Sequence, residues 1–240
     1  KLRESFSTTG AMHVLAVSGL HVGIIFVVFG LFLKPIGQGK KRNILKNLLI
    51  ILFLWIYAFI TGLSPSVCRA TLMFSLVAFA NIFNRKSSIY NTIFFSAFVL
   101  LLINPSFLLD VGFQLSYCAV ISIVYFQPKL SNLWHPKSKA LKWCWDLTCV
   151  SIVAQIGTAP FAMYYFHQFP NYFLLSNFIV IPAASIIIYL TIALFLTSFI
   201  PYIGAFVAFV LNSVLKILYW GISSIEHIPN ALTTLFISKE

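Results

Sequence analysis

His13, Ser18 and His21 stand at the head of a long apolar run, and Ser18 and His21 are three residues apart. Residues three apart on a helix are neighbours. A serine beside a histidine is the pairing of a nucleophile and its base. No acid sits nearby in sequence to orient either imidazole, so intramembrane catalysis is the weakest reading. On a helix turning 100° per residue the three side chains share an arc of roughly 140°. Gly19 and Gly23 fall on the other side, spaced to let a neighbouring helix approach closely. One face is therefore expected to pack and the other to meet something polar. The plainer alternative puts both histidines at the headgroup level.

Four more segments supply polar groups: Arg69, Asp110, His167 and Asn177. Arg69 and Asp110 are expected to pair, because an unpaired charge at membrane depth is costly. The alternative is two interfacial charges that snorkel and never meet. From Asp110 onward, Gln114 falls at about 40°, Tyr117 at about 340°, Cys118 at about 80°, Ser122 at about 120° and Tyr125 at about 60° on a helical wheel. That stripe, opposite Phe107, Leu115 and Ile123, is expected to line a pathway rather than only to join helices. No Walker motif, nucleophile elbow, His-Glu-x-x-His or Cys-x-x-Cys is present. Five acids in 240 residues leave little for a two-metal site. No catalytic residue, metal or cofactor is expected.

The elements that must hold these groups follow from composition. Hydrophobic residues make up 60% of the chain and charged ones 9%, against about a quarter charged in a soluble domain. Mean hydropathy is +0.95. The apolar runs do not alternate as barrel strands do. The fold class is all-α, a polytopic transmembrane bundle of about eight spans. Expected helices cover 13–33, 47–61, 66–83, 89–103, 109–126, 143–164 and 204–222. Residues 171–200 are either one kinked span or a broken, re-entrant helix plus a span. The domain reading is an outer lead-in at 1–12, a membrane domain at 13–222 and an outer tail at 223–240. The chain begins and ends abruptly, as one domain cut from a longer protein would. Cys68, Cys118, Cys144 and Cys149 show no ligand spacing and read as free thiols.

The net charge of +11 does not by itself argue for nucleic acid. Loops 34–46, 84–88 and 127–142 hold eleven Lys and Arg and no acid, whereas 62–65, 104–108 and 165–171 hold no Lys, Arg, Asp or Glu. Cytoplasmic loops are enriched in Lys and Arg, which places all three basic loops inside and, with eight spans, both termini outside.

Several stretches also match a known pattern. Leu15-Ala-Val-Ser-Gly-Leu-His-Val-Gly23, Gly62-Leu-Ser-Pro-Ser-Val-Cys-Arg-Ala-Thr-Leu-Met73 and Asp110-Val-Gly-Phe-Gln-Leu-Ser116 resemble, in order, the competence domain of the ComEC family of bacterial inner-membrane proteins. Ala154-Gln-Ile-Gly-Thr-Ala-Pro160, Phe166-His-Gln168 and Asn177-Phe-Ile-Val-Ile-Pro182 resemble its later motifs. The resemblance implies an inner-membrane channel that carries single-stranded DNA into the cytoplasm during natural transformation. Fuller members add an OB-like domain and a metallo-β-lactamase-like domain, neither included in this sequence, so no nuclease activity is expected of it. Matching positions are His13, Ser18, His21, Arg69, Asp110, Gln114, Ser116, His167 and Asn177. Ser116 falls at about 240°, off the stripe, which suits packing.

A passive conduit for a polyanion needs a wet path with donors and sequence-tolerant stacking surfaces. Its expected partners are single-stranded DNA, the lipid bilayer, a cytoplasmic DNA motor, outer DNA-receptor proteins and, as an open option, further copies of the chain. The competing readings are a proton-coupled small-solute transporter and a membrane anchor for the missing domains.

Overall fold

The computed structural model describes residues 18–36, 39–83, 85, 88–229 and 231–234. Among them are eight α-helices: α1 (Gly19–Phe32), α2 (Lys40–Ile60), α3 (Pro65–Ile82), α4 (Ile89–Ile103), α5 (Val111–Ser131), α6 (Lys139–Phe166), α7 (Phe173–Thr197) and α8 (Pro201–Glu226). Two three-residue strands, β1 (Gln168–Pro170) and β2 (Leu232–Thr234), pair antiparallel. Six helices are long and apolar enough to cross a membrane; α1 and α4 are apolar but shorter. At 1.5 Å per residue these two reach about 21 and 22 Å, short of a hydrocarbon core of about 30 Å. The chain is a polytopic helical membrane protein.

Several expected boundaries move. α1 does not begin at His13: Ser18 is extended (φ −109°, ψ 170°) and caps a helix that starts at Gly19. Serine at this position accepts from the helix's first N–H groups, which a helix interior would not allow. Ser18 therefore stands outside the helix that carries His21, and the expected face cannot be followed to His13, which lies outside the described residues. α2 begins at Lys40 rather than at 47, because Lys and Arg are good helix formers whose heads reach the interface. α7 is one continuous helix through Pro182, not a half-helix and a span. In hydrocarbon an interrupted helix would strand several backbone groups, whereas a proline removes one bond. α5 and α6 likewise run through Pro128 and Pro160. The expected tail from 223 is helical to Glu226, and Leu232–Thr234 within it pairs with β1.

The chain divides into two compact units within α5, one of Val17–Tyr117 and one whose described part starts at Cys118. In the first, Val22, Ile25, Ile50, Leu54, Ala58, Val67, Ala70 and Ala78 form the core. Phe26 stacks on Phe74 at 5.1 Å and Phe29 on Phe53 at 4.3 Å. Asn43 Nδ2 donates to the Asn81 carbonyl at 2.9 Å, and Asn47 Nδ2 to Asn43 Oδ1 at 3.0 Å, tying α2 to the end of α3. Between α2 and α3, Gly62 (φ 82°) and Leu63 (φ 51°) turn the chain in the left-handed region.

In the second unit α7 and α8 pack through Val180, Leu218 and Ile222, with Gly221 against Ile179. Its strand pair is fastened by Asn171 Nδ2 donating to Thr233 Oγ1 at 2.8 Å and by Tyr172 Oη donating to the Pro229 carbonyl. α5 and α6 cross closely at Gly157. A Cβ built on Gly157 would collide with Ser122 Oγ and lie 3.0 Å from the Cys118 carbonyl oxygen.

Gly157→Ala should therefore destabilise the protein by about 1–3 kcal/mol, the usual cost of overpacking. Ser122→Gly in the same chain should restore only part of that loss, since the Cys118 carbonyl remains. Thermal unfolding in detergent micelles measures both; an unchanged midpoint for Gly157→Ala would mean the helices can separate freely.

Candidate functional site

Ser18 and His21 form a reciprocal cap at the start of α1. The Ser18 N–H donates to His21 Nδ1 at 3.3 Å, and Ser18 Oγ lies 3.0 Å from the same nitrogen. His21 thus occupies the third helical position, where a capping box usually holds Glu or Gln. This contact also has the length of a nucleophile–base pair. Among the described residues no acid orients the imidazole, so the geometry serves the helix end.

Arg69 lies one turn into α3 and is only 7% exposed, the one charged residue buried among those described. Its guanidinium sits over the Tyr117 ring, 5.6 Å from the centroid. Cation–π attraction offsets part of the desolvation of the charge. Nε has no hydrogen-bond partner. Nη2 lies beside the first residue of α1, 3.3 Å from where a Gly19 Cβ would stand. Tyr117 is itself held by Ser96 Oγ at 2.9 Å and by the Phe113 ring at 4.5 Å. Gly23, one turn on, faces Phe74 of α3. Gly19 and Gly23 are therefore the positions at which α1 approaches α3.

The expected Arg69–Asp110 pair is not formed. Asp110 Oδ1 instead accepts from the Phe113 N–H at 2.8 Å and starts α5. Capping satisfies a backbone donor that an interhelical ion pair would leave open. Gln114 Nε2 donates to the Leu108 carbonyl at 2.8 Å, so its amide braces the preceding turn. Its Oε1 and the Ser116 hydroxyl are buried without partners.

The remaining expected residues do not join this cluster. Ser122 packs against Gly157. Tyr125 is exposed and carries Lys129 Nζ over its ring at 3.7 Å. His167 ends α6 in the left-handed region (φ 54°). Asn177 is buried in α7 beside Ser176, whose hydroxyl bonds back to the Tyr172 carbonyl. The α5 stripe is thus divided: Tyr117 is buried, Ser122 is a packing residue and Tyr125 is peripheral.

Among the described residues five buried side-chain polar atoms have no hydrogen-bond partner: Arg69 Nε, Thr71 Oγ1, Ser75 Oγ, Gln114 Oε1 and Ser116 Oγ. All five belong to the Val17–Tyr117 unit. Buried polar atoms are nearly always paired, so unpaired ones confined to one unit point to function there. Thr71, Ser75 and Ser96 escaped the sequence reading; the available signal was Thr71 and Ser75 at helical spacing four residues apart. No three His, Cys, Asp or Glu side chains converge in a way that could hold a metal ion among the described residues.

The family model described as "Competence protein" matches residues 1–238. This chain belongs to the competence protein family. It is 35% identical over 178 residues to "ComE operon protein 3" of Bacillus subtilis (strain 168), a match covering 74% of this chain and 22% of that relative. It is also 32% identical over 160 residues to an uncharacterized protein of Aquifex aeolicus (strain VF5), covering 67% of this chain and 35% of that one. The matched stretch thus spans well under half of either relative's length. No solved structure matches. Within this competence-family chain Arg69, Tyr117, Ser96 and the start of α1 form the candidate site.

Arg69→Ala and Asp110→Ala should act additively on stability, within about 0.5 kcal/mol, because the side chains do not interact. Ser96→Ala and Tyr117→Phe should be coupled: Ser96→Ala alone orphans the buried Tyr117 hydroxyl at a cost of about 1–3 kcal/mol, a cost absent once Tyr117 is Phe, whereas after Tyr117→Phe alone the Ser96 hydroxyl keeps the Ile93 carbonyl. Two double-mutant cycles read by thermal unfolding separate the cases. Strong coupling between positions 69 and 110 would restore the ion pair.

Proposed function

We propose that this chain is a passive conduit that conducts single-stranded DNA across the bacterial inner membrane into the cytoplasm. The observation that carries the reading is a buried arginine whose Nε has no partner, in a competence-family membrane protein whose Val17–Tyr117 unit holds four further unpartnered buried polar atoms. A polyanion in transit needs donors and positive charge that the protein has not already neutralised. Arg69 meets that need because Asp110 is engaged elsewhere. Membership of the competence protein family is in keeping with the same reading. Hydrolysis of the strand is not assigned to this chain. The driving force comes from a cytoplasmic motor, and outer receptor proteins deliver the strand.

The charge pattern sets the orientation. Lys40 and Lys137 belong on the cytoplasmic side, as does Lys86, which lies outside the described residues. Ser64, Ser106 and Asn171 belong outside, with both termini. Single cysteines placed at these positions in a cysteine-free background should react accordingly with an impermeant maleimide. External labelling at 40 or 137 would invert the proposal.

Conduction is tested with the chain reconstituted in vesicles and a fluorescent single strand outside, scored by nuclease protection. Protected strand should appear only in vesicles that contain the chain. A small-solute transporter or a structural anchor would leave the strand outside.

A further inference from the structure

We infer that Arg69 and the first turn of α1 together form a binding site for one phosphodiester group. The inference rests on the conduit reading and names where that reading's strand is held. Its starting point is a charge with no counter-charge. Arg69 is more than nine-tenths buried, and no ion pair to it exists among the described residues. Among the described residues its electrostatic neighbour is the Tyr117 ring, an electron-rich face and not an anion. The ring orients the guanidinium but gives its N–H groups nothing to bond, and Nε remains without an acceptor. A buried charge whose partner is missing is among the most costly features a fold can carry.

A second feature meets it from α1. Nη2 lies beside Gly19, the first residue of that helix. The opening N–H groups of a helix have no intrahelical acceptors and sit at the positive end of its dipole. The His21 N–H is accounted for by the Ser18 carbonyl at 3.1 Å. Gly19 and Leu20 have no such acceptor among the described residues. Glycine at 19 also leaves the guanidinium room: an added methyl would sit 3.3 Å from Nη2 and 3.4 Å from the Ala70 Cβ. A planar fork of donors beside a helix N-terminus is suited to a tetrahedral oxyanion.

Phosphodiesters occur both in a nucleic acid strand and in phospholipid headgroups. The burial of Arg69 within the packing of α1 and α3 favours a threaded strand over a lipid, which would need a lipid-facing surface. The role is binding, with no bond made or broken.

The test uses the full chain in maltoside micelles free of phospholipid. Affinities are measured for a fluorescent oligothymidine with a phosphodiester backbone and for the same oligomer with a neutral methylphosphonate backbone. The wild type should prefer the charged strand. Arg69→Gln should weaken binding of the charged strand about tenfold or more, as loss of charge-assisted hydrogen bonds does. It should leave the neutral strand unaffected and reduce the salt slope by about 0.7. Arg69→Lys keeps the charge without the fork and should fall between. Gly19→Ala keeps all charges, displaces Nη2 and should weaken the charged strand alone. These two variants carry the test if Arg69→Gln does not fold, judged by its melting profile. Wild-type affinity and salt slope in the folded variants would overturn the inference. Displacement of the strand by phosphatidylglycerol from the wild type but not from Arg69→Gln, with equal strand affinity in both, would assign the site to lipid and overturn it too. If no strand binds, but inorganic phosphate raises the melting temperature through Arg69, the anion site stands and the conduit reading fails.

Discussion

The structure depends on one constraint: in hydrocarbon a polar group can be satisfied only by the protein itself. Helices satisfy the backbone. The side-chain hydroxyls follow by bonding back to the carbonyl four residues earlier. Thr61 donates to Tyr57, Thr148 to Cys144, Thr158 to Ala154, Ser185 to Ile181 and Thr191 to Ile187. Such residues look polar in the sequence and are neutral to the surroundings of the helix. Because the rule is kept so widely, departures from it are informative. Those found among the described residues all belong to the Val17–Tyr117 unit.

Charge obeys the same constraint. Among the described residues most lysines stand near helix ends and in loops, where their heads can reach water, and Lys216 is the one in mid-helix. Lys129 lies over Tyr125 near the end of α5. Two of the three acids among the described residues, Asp110 and Asp146, are engaged locally, and Glu226 ends α8. Asp110 caps α5, and Asp146 accepts from Ser131 Oγ at 2.8 Å. With the acids so placed, Arg69 has only an aromatic face. Arginine tolerates that position better than lysine would, since a guanidinium is less strongly hydrated and stacks on rings.

The helices were legible because uninterrupted apolar runs of this length have few other folds. The expected and observed bounds of α4 coincide at Ile89–Ile103. The family was legible from motifs alone. Geometry within the motifs was less so. A helical wheel through His13, Ser18 and His21 assumes that the helix passes through Ser18, and serine's preference for the cap defeats that assumption. The same preference for local capping removed Asp110 from Arg69. Tyr117 was assigned to a pathway from its angle on the wheel, yet what fixes it is Ser96, a small hydroxyl on another helix with no sequence mark of its own. The β1–β2 pair joins segments more than sixty residues apart through three residues each, too short for any alternating pattern to register.

A conduit must hold its cargo strongly enough to admit it and weakly enough to release it. A row of buried cations would trap a polyanion. Arg69 is the one buried charge among the described residues, and the other unpaired buried groups of the same unit are neutral: two hydroxyls on α3, and an amide oxygen and a hydroxyl on α5. Neutral donors and acceptors can exchange bonds with sugars, bases and water at little net cost, because each bond broken is replaced. On the proposed reading, one charge sets the register of a passing phosphate, and the neutral groups keep the path wet between one phosphate and the next. The desolvation that Arg69 suffers when unoccupied has a consequence of its own. Binding offsets a cost already present in the empty protein, so a single phosphate contact gains more there than on an exposed arginine.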